Sequence, residues 1–164
     1  MMRKLIITAI YLLCGSGFGQ TSIDDLLNKH NDHSVPYICV DELSKLTTPH
    51  LLLDTREKEE YEISHLEHAI HVGFNDFKVS KTTNLLPNKD TMIVVYCSLG
   101  IRSEIIGKKL IADGYTKIYN LYGGIFEWKN KGKKVYGSKQ ETPKVHAYSK
   151  AWGSYLLKGT KVYE

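Results

Sequence analysis

A chain of 164 residues, 42% of them hydrophobic, is long enough to bury one core and accommodates a single domain with short extensions. Its formal charge of +4 falls to +2, with 20 basic against 18 acidic residues, once Arg3 and Lys4 leave with a leader, so nucleic-acid binding has no electrostatic argument. Of its 3 cysteines only Cys39 and Cys97 lie beyond that leader, too few for the disulfide framework of a small exported protein.

The leader is read from Arg3 and Lys4, the apolar residues 5–13 and the small residues that follow Cys14, which together predict a signal peptide over residues 1–19 with cleavage after Gly19. The apolar run is too short to span a membrane. An exported, periplasmic protein without a membrane span is therefore expected. The alternative, a lipoprotein acylated on Cys14, is disfavoured by Leu13, which stands where a small residue belongs.

Residues 20–35 are polar and predict an N-terminal linker with one helical turn through Ile23, Leu26 and Leu27. The main domain is expected over 36–132. It opens with a strand at 37–40, a short helix at 41–46 whose acidic first turn suits the helix dipole, and a buried strand at 51–54 closed by Asp54, Thr55 and Arg56. A helix rich in glutamate and lysine follows at 57–63, then a short strand at 69–72 and a loop over 73–90. Residues 92–96 read as a fully buried strand, and a helix begins just after Arg102 and stops at Asp113 and Gly114. An edge-like strand at 117–121 precedes a helix opened by Gly123 and Gly124 and ending near Lys131 and Gly132. This alternation predicts an α/β fold with a mostly parallel sheet of about five strands and helices on both faces.

The remaining residues, 133–164, form a C-terminal extension. Thr142 and Pro143 make a helix start signal, and Ala147, Tyr148, Ala151, Trp152, Tyr155 and Leu156 share one helical face, with Gly159 as the cap. An amphipathic helix packed back on the domain is the expectation. Docking of a partner, or covering of a site mouth by Trp152 and the tyrosines, is the alternative.

The chemistry centres on Cys97, at the end of the 92–96 strand and just before a helix N-terminus. Cys97, Gly100 and Arg102 form C-x-x-G-x-R with Ser103 next, so backbone N–H groups, a helix dipole and a cation converge on the thiol and favour the thiolate. A six-residue loop curled into a cup can stabilise that thiolate or a sulfur atom attached to it as a persulfide. Cys39, flanked by Ile38 and Val40, reads as a small buried residue on a strand, with a Cys39–Cys97 disulfide left open.

These motifs resemble the rhodanese-like domain family, of the single-domain, exported sulfurtransferase type, over roughly residues 36–132. The carriers are Leu52 to Glu57 with Glu60 and Tyr61, the Ser64 to Ile70 run, Val95 to Cys97 with Gly100, Arg102 and Ser103, and Asn120 to Trp128. Ser64, Glu67 and His68 stand where the family usually has two glycines and a proline, and Ser98 and Leu99 leave the cup rim less basic than in some members. The resemblance implies that Cys97 takes sulfane sulfur from a small sulfur-containing anion or persulfide donor and passes it to cyanide or to a thiol acceptor, which can be a protein. Ser98, Leu99, Gly100, Ile101 and Ser103 would hold the transferred sulfur, Arg102 would act with Cys97, and Asp54 and Arg56 would support the loop.

Two other readings compete with this one. A non-catalytic binding or sulfur-carrier module is the first; a cysteine-dependent phosphatase is the second, and it usually has a loop one residue longer and an acid nearby. No cofactor is expected. The histidines at 30 and 33, and at 65, 68 and 71, recur at intervals of three, but His71 falls on a predicted strand, so no metal site is expected. Lys129, Lys131, Lys133 and Lys134 read as a solvated face, and a monomer is expected.

Overall fold

The computed structural model describes residues 20–86, 88–138 and 140–163. In chain order the first elements are α1 (Gln20–His30), β1 (Tyr37–Ile38), α2 (Val40–Leu43), β2 (His50–Asp54), α3 (Lys58–Ile63) and β3 (Ile70–His71). There follow α4 (Val79–Thr83), β4 (Met92–Tyr96), α5 (Ile101–Ala112), β5 (Ile118–Leu121) and α6 (Gly124–Asn130). The C-terminal part contributes β6 (Val135–Tyr136), β7 (Glu141–Thr142), β8 (Lys144–His146), α7 (Lys150–Gly153) and β9 (Thr160–Val162).

Strands β1 to β5 form one parallel sheet in the order β1-β5-β4-β2-β3. This is the expected α/β architecture. Strand β4 lies at its centre because Ile93, Val94 and Val95 are apolar on both faces, which only a strand covered from both sides can bury. The two-residue period then divides the core. Val94 and Tyr96 join Leu27, Val40, Ile125 and Phe126 on one face, while Ile93 and Val95 join Leu53, Ile106, Leu110 and Tyr115 on the other.

Several expectations need correction. Residues 20–30 are an 11-residue helix rather than a linker, because Ile23 and Leu27 are both buried in the core. Strand β5 is not an edge: β1 pairs parallel with it and shields its outer side. The 73–90 stretch contains α4. Cys39 stands half-buried as the N-cap of α2 rather than on a strand, and Cys97 is a free thiol, so no bridge joins the two.

The largest correction concerns the extension. Instead of a long amphipathic helix, β7 pairs antiparallel with β6, β8 pairs parallel with β9, and only the four residues of α7 are helical. Pairing wins because it buries Val145, Ala147 and Leu156 completely while Tyr148, at φ +63°, turns the chain out of any helix. The leader, residues 1–19 with Cys14, lies outside the described residues. Among those residues no helix is long and apolar enough to cross a membrane.

Candidate active site

Cys97 follows the last residue of β4 and is wholly buried. The chain turns there because Gly100 adopts φ +112°, a left-handed conformation that a side chain resists, and so becomes the N-cap of α5. The turn directs the Gly100 N–H onto Cys97 Sγ at 3.1 Å, and the Ser103 hydroxyl, one turn into α5, lies 3.5 Å from the same sulfur. That hydroxyl also reaches Asn120 Oδ1 at 2.7 Å, so its single proton is shared between the amide oxygen and the sulfur.

The loop is pinned from below by polar side chains inside the core. Asn120 on β5 donates to the Gly100 carbonyl at 2.8 Å and to Glu104 Oε2 at 3.1 Å, and Asn31 donates to the same carbonyl at 2.9 Å. From the other side, the Ile125 and Phe126 N–H groups at the start of α6 donate to the Cys97 and Ser98 carbonyls at 2.9 and 3.1 Å. Gly124 permits this approach: a Cβ there would stand 2.3 Å from the Cys97 carbonyl oxygen.

The charge beside the sulfur is a buried pair. Arg102 donates from Nη1 and Nη2 to Glu60 at 2.7 and 2.8 Å, and from Nη2 to Ser98 Oγ at 3.1 Å. Glu60 arrives there because it is the third residue of α3, where it closes a capping box with Glu57. Arg102 Nε is buried without a hydrogen-bond partner among the described residues. Burial pushes the Cys97 thiol up, but the Arg102 charge and the hydrogen bonds from Ser103 and Gly100 outweigh it and hold the thiol below its ordinary value. Burial likewise disfavours ionised Glu60, and Arg102 and Arg56 overcome that penalty and keep it a carboxylate.

Asp54, the last residue of β2, is in register with Tyr96, one residue before the cysteine, and Arg56 lies two residues beyond the strand. Both are fully buried, and Arg56 reaches Asp54 Oδ2 at 2.6 Å and the Ser64 carbonyl at 2.6 Å. They tie the α3 exit to the sheet. Leu99 is completely buried within the apolar core, and Ile101 packs half-buried against it. Of the loop residues, Gly100 and Ser103 bear on Sγ through hydrogen bonds, and Ser98 bears on Arg102 and Glu60.

Three participants had no role of their own in the sequence reading, Glu60, Asn120 and His146, whereas Tyr148 stood there as one of the tyrosines that would cover a site mouth. Asn120 was detectable as a polar residue inside an otherwise apolar strand. Glu60 stood within a quoted motif, but its direction depends on how α3 packs. His146 and Tyr148 are brought to the site by β8, with His146 Nδ1 at 3.9 Å from Glu60 Oε1 and the Tyr148 ring centroid 4.9 Å from Arg102 Cζ. His65 and His71 flank the ring of Tyr61, at 3.9 and 5.0 Å between centroids, and among the described residues no group of three or more metal-ligating side chains gathers.

Comparison with known proteins adds to this geometry. A family model described as "Rhodanese-like domain" matches residues 39–131, more than half of the chain. The chain belongs to the rhodanese-like domain family. Among curated relatives, a tRNA uridine(34) hydroxylase of Photorhabdus laumondii is 36% identical over 86 residues, 51% of this chain and 24% of that protein. An "Adenylyltransferase and sulfurtransferase UBA4" of Candida albicans is 36% identical over 84 residues, 48% of this chain and 19% of that protein. The chain thus spans a quarter or less of the length of these relatives. Among solved structures, a thiosulfate sulfurtransferase from Pseudomonas aeruginosa superposes with a TM-score of 0.60 at 19% identity, covering 84% of this chain and 26% of that one. A protein from Bacillus halodurans gives 0.55 at 21% identity, covering 74% and 88%. At these identities the superpositions establish the rhodanese fold. The rhodanese-like match ends at residue 131, so β6 to β9 lie beyond it.

Proposed function

We propose that this rhodanese-like chain is a sulfurtransferase that carries sulfane sulfur on Cys97. The observation that bears most weight is the buried Cys97 thiol, held below its ordinary pKa and capped by the Gly100 N–H at 3.1 Å, because the thiolate is the form that attacks sulfur.

In the first step the Cys97 thiolate attacks the outer sulfur of a donor such as thiosulfate. A sulfur–sulfur bond forms at Sγ, the donor's own sulfur–sulfur bond breaks, and sulfite leaves with its electron pair. In the second step an acceptor such as cyanide attacks the terminal sulfur, thiocyanate departs, and the thiolate is restored. No proton and no outside oxidant is consumed. The loop of residues 98–103 would hold the terminal sulfur, and Arg102 Nε, buried and unpaired, is the donor best placed to meet an anion. A persulfide donor and a thiol acceptor, small or on a protein, would follow the same course. Export to the periplasm with removal of residues 1–19, and function as a monomer, belong to the same proposal.

Intact-mass analysis after incubation with thiosulfate tests it. A gain of one sulfur atom, lost on adding cyanide and absent in Cys97→Ala, is the expected result. No gain with thiosulfate or with a persulfide donor would leave a binding module as the better reading, and hydrolysis of an aryl phosphate would favour a phosphatase.

A further inference from the structure

The C-terminal segment, beyond the rhodanese-like match, builds one side of the site. Val145, Ala147 and Leu156 anchor it as wholly buried members of the core. Between those anchors, His146 faces Glu60 and the Tyr148 ring lies on the Arg102 guanidinium. Tyr148 is aromatic yet sits at φ +63°, a conformation that costs free energy and persists where the surroundings over-determine it. Two contacts do so: the Tyr148 N–H donates to His146 Nδ1 at 3.2 Å, and its ring leans on Trp152 with centroids 4.6 Å apart. Tyr148 is nonetheless 48% exposed, so it stands between Arg102 and solvent, and Cys97 below has no exposed surface at all.

We propose that Tyr148 is a specificity-determining residue, the roof on the Arg102 side of the Cys97 cup, and that it selects by size the sulfur donors and acceptors that reach the sulfur. This deepens the sulfurtransferase reading and rests on it for its biological meaning. Arg102 is held at both Nη atoms by Glu60 and on one face by Tyr148, so a ligand approaching its free Nε passes the edge of that ring. Small species such as thiosulfate or cyanide fit that passage better than glutathione or a protein thiol. With the ring removed, bulky partners would gain more than small ones.

The test reads access to Cys97 and needs no turnover. The full chain, Tyr148→Ala and Tyr148→Phe are each labelled with iodoacetamide and with the bulkier fluorescein maleimide, and modification at Cys97 is followed by peptide mass, with Cys97→Ser as the blank. Tyr148→Ala should raise the bulky-to-small rate ratio about fivefold, the factor a cation–π contact is worth, while Tyr148→Phe keeps the wild-type ratio. A ratio unchanged in Tyr148→Ala, or raised equally in Tyr148→Phe, overturns the proposal. Because labelling is independent of sulfur transfer, a chain that gains no sulfur from thiosulfate or from a persulfide donor but shows the ratio change would refute the sulfurtransferase reading and leave the roof standing. In a chain that does gain sulfur, an unchanged ratio would refute the roof alone.

Discussion

At the scale of single residues, the site is a balance between burial and compensation. Cys97, Glu60 and Arg102 are all withdrawn from water, and Arg102 favours the ionised forms of both Cys97 and Glu60 against the burial that opposes them. Arg102→Gln should therefore remove the largest opposition to burial and raise the Cys97 thiol pKa relative to the unsubstituted protein, read as the midpoint of its alkylation rate against pH. Glu60→Gln should act in the opposite sense on the thiol, since it frees the Arg102 charge, while lowering stability by about 3 kcal/mol because a buried charge loses its partner. Denaturant unfolding and the same alkylation profile check both halves. Cys97 and Arg102 were legible in the sequence, because residue type and spacing specify them. Glu60 was not legible as a partner, because a salt bridge between residues 60 and 102 is made by tertiary packing.

At the scale of elements, the loop after β4 is held between two helix beginnings. The α5 beginning reaches the sulfur through the Gly100 N–H, and the α6 beginning reaches the carbonyls of Cys97 and Ser98. Gly124 is where backbone meets backbone, at φ +56° and with no room for a Cβ. Gly124→Ala should destabilise the protein by about 3 kcal/mol or more, since a left-handed backbone and a clash with main chain combine, and should displace the loop. Thermal unfolding and the rate of Cys97 alkylation measure the two effects. Alternation of strands and helices from residue 36 to 132, α4 excepted, was legible because hydrophobic period and glycine positions agree there. The error at 142–158 had a physical origin: the same apolar residues satisfy a helical period and a pair of short strands, and burial of Val145 and Leu156 beneath the site decided for strands.

At the scale of the whole molecule, the C-terminal segment couples the site to stability through His146. Burial pushes His146 below its ordinary value of 6.5; the Glu60 charge opposes this, and Arg56 and Arg102 add to the lowering. Its Nδ1 accepts the Tyr148 N–H, so the ring is neutral and its approach to Glu60 is not an ion pair. A depressed folded pKa means that the unfolded chain binds the proton first. The contribution of His146 is then complete above about pH 6.5 and is lost as pH falls from there through the lower folded value. Denaturation midpoints against pH should show this decline and should show less of it in His146→Gln. Glu60 adds a second loss at lower pH, since its folded pKa lies below its ordinary 4.5.

What the sequence by itself determined was the central strand, the place of the cysteine loop and the α/β class, because hydrophobic period, glycine placement and the short-range spacing of Cys97, Gly100, Arg102 and Ser103 are local properties. Only the tertiary structure decided that α1 belongs to the core, that Glu60 neutralises Arg102, that Asn31 and Asn120 hold the Gly100 carbonyl, and that Tyr148 lies over the guanidinium. Each of these joins residues far apart in the chain. Such contacts depend on how faces pack after the elements have formed, and no local pattern records them.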